Sequence, residues 1–309
     1  MKQICIVLMG IAMLWALPVN AGALDFSGSD GTAGFAGFPF RSPGTVCGSN
    51  DGPQSSLTET PRVYFGWLEH SRGSTWALQR QTSTGTAPWP LQGFWLGASE
   101  NLTLDDGFGL LVSESIFLPQ RSAGTWYQSP NSASVDFEIP SYEWWSVDGL
   151  TKSRVSGALE LLAGFRWDHT STRVKYSDHT DDDYILNAYL PLIGIQVNQP
   201  FSSGSMLVRF VGSPVVAGRM RYDFWTHTGY AEFGDFDVSG GSFLEFFGDY
   251  FLKVTSDLSV GGFVRWNSLH VKTVERNLSG STTEPVSWTI DIQSWTLGGT
   301  LSLGFSSPI

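Results

Sequence analysis

Trp288-Thr289-Ile290-Asp291-Ile292-Gln293-Ser294-Trp295-Thr296-Leu297-Gly298-Gly299-Thr300-Leu301-Ser302-Leu303-Gly304-Phe305 ends in an unbroken alternation. Its odd positions Trp295, Leu297, Gly299, Leu301, Leu303 and Phe305 are apolar, and its even positions from Ser294 to Gly304 are small or polar. Successive strand side chains point to opposite faces, so one face meets an apolar phase and the other a polar one. The run is as long as the roughly 9 to 11 residues that a tilted strand needs to cross a bilayer, with residues to spare. Such dyad segments, separated by turns, are the signature of a transmembrane antiparallel up-and-down β-barrel. The odd face is therefore expected to meet lipid. By this register Leu301→Arg impairs insertion, whereas Thr300→Arg, on a polar lumen, is tolerated.

The N-terminus supports export. Met1-Lys2-Gln3 is a short cationic start, Ile4 to Leu17 is apolar, and Val19-Asn20-Ala21 offers a small-x-small cleavage site, so residues 1–21 read as a secretory signal peptide. Cys5 falls within it, and the mature chain keeps Cys47, which forms no internal disulfide and no metal site on its own. The expected location is the bacterial outer membrane. Residues 22–60 are rich in Gly, Ser and Pro and have no sustained period, which makes them an irregular N-terminal arm. Phe26, Phe35, Phe38 and Phe40 favour an arm tucked against the barrel over a free linker.

Composition agrees. Charged residues make up 15 % of the chain, against about 25 % in soluble proteins, and the 13 Trp suit interfacial aromatic girdles. The net charge of −11 argues against a nucleic-acid partner, because a phosphate backbone wants clustered Lys and Arg. Lipid and lipopolysaccharide of the outer membrane are the expected partners, and no cofactor is implied.

From Pro61 to Ile309 ten strands are expected, near 62–69, 92–104, 107–118, 136–147, 154–168, 183–197, 204–224, 240–254, 257–271 and 288–305. Connections alternate between short ones, such as 148–153 and 198–203, and long ones at 70–91, 119–135, 169–182, 225–239 and 272–287. Short periplasmic turns, long outer loops and an even strand number go together in outer-membrane barrels. Pro214 interrupts the seventh segment.

Face assignment sends the mid-strand charges inward. Glu160, Arg166, Glu245, Asp249 and Arg265 oppose the apolar positions of their strands, and Arg209, Arg219, Arg221, Asp223 and Asp291 are assigned to inner faces with them. Glu160, Arg166, Arg209, Arg221, Glu245, Asp249, Arg265 and Asp291 are thus the expected lumen network. On the lipid face an Arg or Lys at mid-membrane costs about 2–4 kcal/mol. Glu114, opposite in parity to Ser113 and Ser115, is the exception. Mixed charges in a narrow barrel form an ion-paired plug or, alternatively, a constriction that selects solutes.

The loops hold the remaining candidates. Asp178, His179, Asp181 and Asp183 sit in the densest acidic run, where carboxylates and a His could hold a divalent cation or bridge through Ca²⁺ or Mg²⁺ to lipopolysaccharide phosphates, although a solvated loop needs neither. Asp136-Phe137-Glu138 is a carboxylate pair at the outer end of the fourth strand, and Asp223, His227, Asp235 and Asp237 surround the loop after the seventh.

Signal peptide, ten alternating strands, long outer loops and acidic loop roots together resemble the omptin family of outer-membrane proteases. The resemblance implies an aspartate pair facing an Asp-x-His dyad across the barrel top, with a water activated between them. Here Asp136 and Glu138 would stand for the pair, and Asp223 and His227 for the dyad. Asp223 and His227 are four apart rather than two, a departure from the family pattern. Three readings follow: a barrel acting in binding, envelope structure or small-solute passage; an omptin-like hydrolase at the outer rim; or a soluble periplasmic β-protein.

Overall fold

The computed structural model describes residues 58–78, 89–103, 107–120, 122–128, 133–177, 179–226, 229–279 and 286–303. The expected signal peptide 1–21, the arm up to residue 57 with Cys47, Asp178 and His227 lie outside the described residues. Among the described residues twelve strands follow one another: β1 (Thr58–Leu78), β2 (Trp89–Thr103), β3 (Phe108–Pro119), β4 (Ser122–Gln128), β5 (Ala133–Ser156), β6 (Leu159–Tyr176), β7 (Asp181–Phe201), β8 (Gly204–Ser213), β9 (Ala217–Thr226), β10 (Gly229–Lys253), β11 (Leu258–Ser279) and β12 (Val286–Leu303).

All pairings are antiparallel, and β12 closes the ring onto β1 with Trp67 opposite Leu297 and Val63 opposite Leu301. β3 and β4 lie along one wall of β5, and β8 and β9 together fill one place between β7 and β10. The barrel therefore has ten staves, the number expected. Among the described residues the staves pair all the way round the ring, which a membrane requires because hydrocarbon offers no partner for a free N–H or C=O, and β4, at the outer rim, pairs with β5.

The outer wall carries an apolar band. On β12 it runs from Trp295 to Leu303, with Leu297 71 % exposed, and on β7 from Tyr189 to Val197, with Ile193 65 % exposed. Each stretch spans nine residues, the length of one membrane crossing. An aromatic belt marks its outer edge. The Trp145 and Trp167 rings meet at 4.4 Å, Tyr189 stacks next to Trp167 at 6.3 Å, and Trp266 and Trp295 lie 6.2 Å apart.

Beyond that belt the staves continue. Much of what reads as outer loop in the sequence is strand, since β1 runs to Leu78, β2 starts at Trp89, β6 runs to Tyr176 and β10 starts at Gly229. The segment 148–153, expected as a turn, is likewise strand, and the turn falls at Gly157-Ala158, where Gly157 takes φ 49°.

Three irregularities reset which parity faces inward. Register shifts occur in β5 between Glu138 and Ser141, around Pro140, and in β10 between Val238 and Gly240. The third is the break between β8 and β9 at Ser213–Val216, which contains Pro214. Pro has no N–H for the ladder, so it suits such a break. Below each break one parity faces the lumen, and above it the other does. Thus Arg209 and Val211 are buried on β8, but Met220 is the buried neighbour of the exposed Arg219 and Arg221 on β9.

Candidate functional site

The lumen is filled in layers. Inward of the level of Asp182 it packs Leu68, Leu91, Phe117, Leu186, Leu190, Val271, Ile290 and Ile292, each at most 3 % exposed. Beneath lies a charged layer, and beneath that an aromatic one, in which Tyr64, Phe247 and Phe263 have ring centroids 5.3–5.9 Å apart and Trp95 lies 5.3 Å from Phe263. The Phe263 ring lies against the backbone where Gly66 opposes Gly298. A Cβ on Gly298 would come within 2.7 Å of that ring and 2.1 Å of the Phe65 carbonyl.

Glu245 on β10 is the centre of the charged layer and is 0 % exposed. Its Oε2 accepts from Arg166 Nη2 at 2.8 Å and from Arg265 Nε and Nη2 at 3.0 and 2.7 Å, while Oε1 accepts from Arg209 Nη2 at 3.1 Å. Arg166 also grips Asp148 with both Nε and Nη2, at 2.5 and 2.7 Å. Each guanidinium lies over a ring: Arg166 over Phe243 at 4.4 Å, Arg209 over Phe247 at 4.9 Å and Arg265 over Trp95 at 5.2 Å. Nearer the end with the short turns, Arg62 lies 3.5 Å from Asp249 and over the Phe251 ring, and Gln196 donates to Glu160.

Of the eight residues expected in the lumen network, Glu160, Arg166, Arg209, Glu245, Asp249 and Arg265 point inward. Arg221 and Asp291 do not. Arg221 sits on the outer wall, where its Nε donates to Asp223 Oδ2 at 2.9 Å, because the break at Pro214 flips the parity carried up from Arg209. Arg219 and Asp223 turn outward for the same reason. Asp291 shares the odd parity of Trp295 and stands on the outer wall beyond the belt, 2.6 Å from His270 Nδ1. A charge there meets no lipid, so the rule that sends strand charges inward stops applying. Glu114 projects outward between Ala98 and Val147 in the lipid band.

Sequence reasoning missed several inward groups, among them Asp148, Arg62 and Asp182. Asp148 was assigned to a turn, and Arg62 to the edge of a strand. Asp182 lies in a run of three aspartates that β7 divides: Asp181 and Asp183 face out and Asp182 faces in. Its Oδ2 accepts from Tyr176 at 2.7 Å and Tyr184 at 2.9 Å, and its Oδ1 from Tyr222 at 3.1 Å. Seven residues beyond Tyr189, this carboxyl is outside the membrane-spanning segment. Burial pushes its pKa up to about 6, against the three hydroxyls that favour the anion.

The rim candidates do not converge. Asp136 and Glu138 lie on the outer face of β5, since Phe137 and Ile139 take the buried positions, and Asp223 lies on the outer face of β9. Two staves, β6 and β7, separate them, so at an inter-strand spacing of about 4.8 Å they stand roughly 14 Å apart around the wall. Of the proposed cation ligands, His179 is exposed at a loop tip with φ 67°, and both oxygens of Asp183 accept from Arg173, at 2.7 and 2.8 Å. Among the described residues no three His, Cys, Asp or Glu side chains cluster as metal ligands.

No protein-family model matches the chain, and no curated protein sequence matches it. Its likeness is to solved structures. The outer membrane protease OmpT from Escherichia coli superposes with a TM-score of 0.63 at 12 % identity, over 81 % of this chain and 98 % of that one. The outer membrane protein OprG from Pseudomonas aeruginosa gives a TM-score of 0.38 at 10 % identity, over 82 % and 98 %. The fold is that of the outer-membrane β-barrels.

Proposed function

We propose that the chain is a closed barrel of the bacterial outer membrane, exported by a cleaved signal peptide, that acts in binding or envelope structure rather than as an open solute path. The observation that carries this reading is the filled lumen: three arginines converge on the fully buried Glu245, between a layer of packed aliphatic side chains and a layer of aromatic rings. An aqueous pore needs a continuous polar path, and both flanking layers interrupt it. The partners we infer are outer-membrane lipids and lipopolysaccharide, for whose phosphates the exposed Lys175, Arg219 and Lys272 stand ready beyond the aromatic belt. An omptin-like hydrolase finds no support in the outward-turned Asp136, Glu138 and Asp223. The test is purified protein in planar bilayers together with a peptide-cleavage screen. The expected result is neither steady conductance nor cleavage, and either one would overturn the reading.

A further inference from the structure

The charged layer is not fully satisfied by its own residues. Arg166 Nη1, Arg265 Nη1 and Arg209 Nε are buried and have no acceptor among the described residues. All three side chains are at least nine-tenths buried. They line a common void of about 30 Å³. Asp148 also borders it, but its oxygens are taken up by Arg166 and by Ser113 Oγ. Ser115 and Ser146, whose hydroxyls lie 2.9 Å apart, complete the wall between β3 and β5.

The geometry points to this void as a binding site for a small monovalent anion of the halide class. Three guanidinium groups face Glu245 and Asp148 from within the lumen, and Glu114, which also borders the void, is carried on the outward parity of β3. Asp168 is one level outward and accepts from Trp144 Nε1 at 2.6 Å. Buried N–H donors of a charged group are costly to leave unmade, and an ion that only accepts suits a wall that chiefly donates. The volume admits it, since a single water-sized occupant needs about 10–15 Å³ on this measure. A halide here accepts from the unmade N–H groups and joins β6, β8 and β11 through their arginines. The site is independent of whether the barrel conducts.

The test uses the folded full-length barrel in detergent micelles. Its thermal unfolding midpoint is followed in sodium chloride, sodium bromide and sodium gluconate at matched ionic strength, and crystals grown in bromide are examined for anomalous scattering. A midpoint that rises with chloride or bromide and saturates, while gluconate leaves it flat, supports the site, as does a bromide peak among Arg166, Arg209 and Arg265. Ser115→Val fills the void without changing charge and should abolish the halide dependence. Arg209→Met should weaken it, and if that variant does not fold, Ser115→Val decides. Superimposable chloride and gluconate curves, an unoccupied void in bromide, or full halide dependence in Ser115→Val would each overturn the assignment.

Discussion

Replacing Glu245 with Gln tests whether the lumen is a dry plug. The carboxylate accepts four N–H bonds from Arg166, Arg209 and Arg265 and is wholly buried. Gln keeps the shape but removes the charge and turns an NH₂ toward a group of guanidinium donors. Removing one partner of a buried ion pair typically costs about 3–5 kcal/mol, because the other charge stays behind uncompensated. Here three cations lose their common counter-ion, so the upper end of that range is expected. The control is Arg173→Ala at the exposed Arg173–Asp183 pair, where the solvated geometry limits the loss to about 0.2–1 kcal/mol. Both variants would be unfolded in urea from lipid vesicles, with the folded fraction read from heat-modifiable gel mobility. A double variant, Glu245→Leu with Arg209→Leu, should lose less than the sum of its single changes, since removing both partners of a pair spares the orphaned charge. If Glu245→Gln loses no more than the Arg173→Ala control, water reaches this layer and the plug argument fails.

Two further outcomes can be measured on the same material. Leu301→Arg puts a cation on the lipid face, 40 % exposed in the apolar band, and should reduce the vesicle-inserted fraction through a cost of about 2–4 kcal/mol; Thr300→Arg should do no better, because Thr300 is 0 % exposed in a packed interior, and normal insertion of Thr300→Arg would show that interior to be loose. For Asp182 the sign follows from its raised pKa: the folded carboxyl titrates near 6 and the unfolded one near 4, so the folded state binds the proton more tightly. Its contribution to stability is fully present below about pH 4, is lost as pH rises to about 6 and stays lost above. The urea midpoint of wild type minus that of Asp182→Asn should therefore fall across that window, and a flat difference would refute the burial argument.

The strand count, the lipid face and the charged interior were legible in the sequence because all three are consequences of period-two alternation in a single register. Leu297, Leu301 and Leu303 read correctly for that reason. What failed was the extension of one register along a whole strand. Parity carried from Arg209 past Pro214 placed Arg219, Arg221 and Asp223 inside, although Pro214 itself was the visible warning of a break. Asp291 failed for a different reason, since its stave outlasts the bilayer and the lipid penalty ends at Trp295. The contacts of Asp148 and Asp182 were illegible. An aspartate near a glycine looks like a turn, and three consecutive aspartates look like a solvated loop. Only the cross-strand pair of Asp148 with Arg166 and the hydrogen bond that Tyr222 donates to Asp182 reveal otherwise.

The same reset of parity bears on where this barrel meets its surroundings. Below the breaks, alternation keeps charge inside and apolar groups against lipid. Above them, the lumen admits mainly Phe137, Ile139, Met220 and Phe236, while the outer wall takes Arg173 with Asp183, Arg221 with Asp223, and His270 with Asp291. The projecting part of the barrel is thus built like a soluble β-protein, apolar within and charged without. Exposed ion pairs such as these contribute little stability, so the wall's charges are weakly constrained by folding and free to serve recognition. The buried Asp182 and Glu245 are constrained strongly.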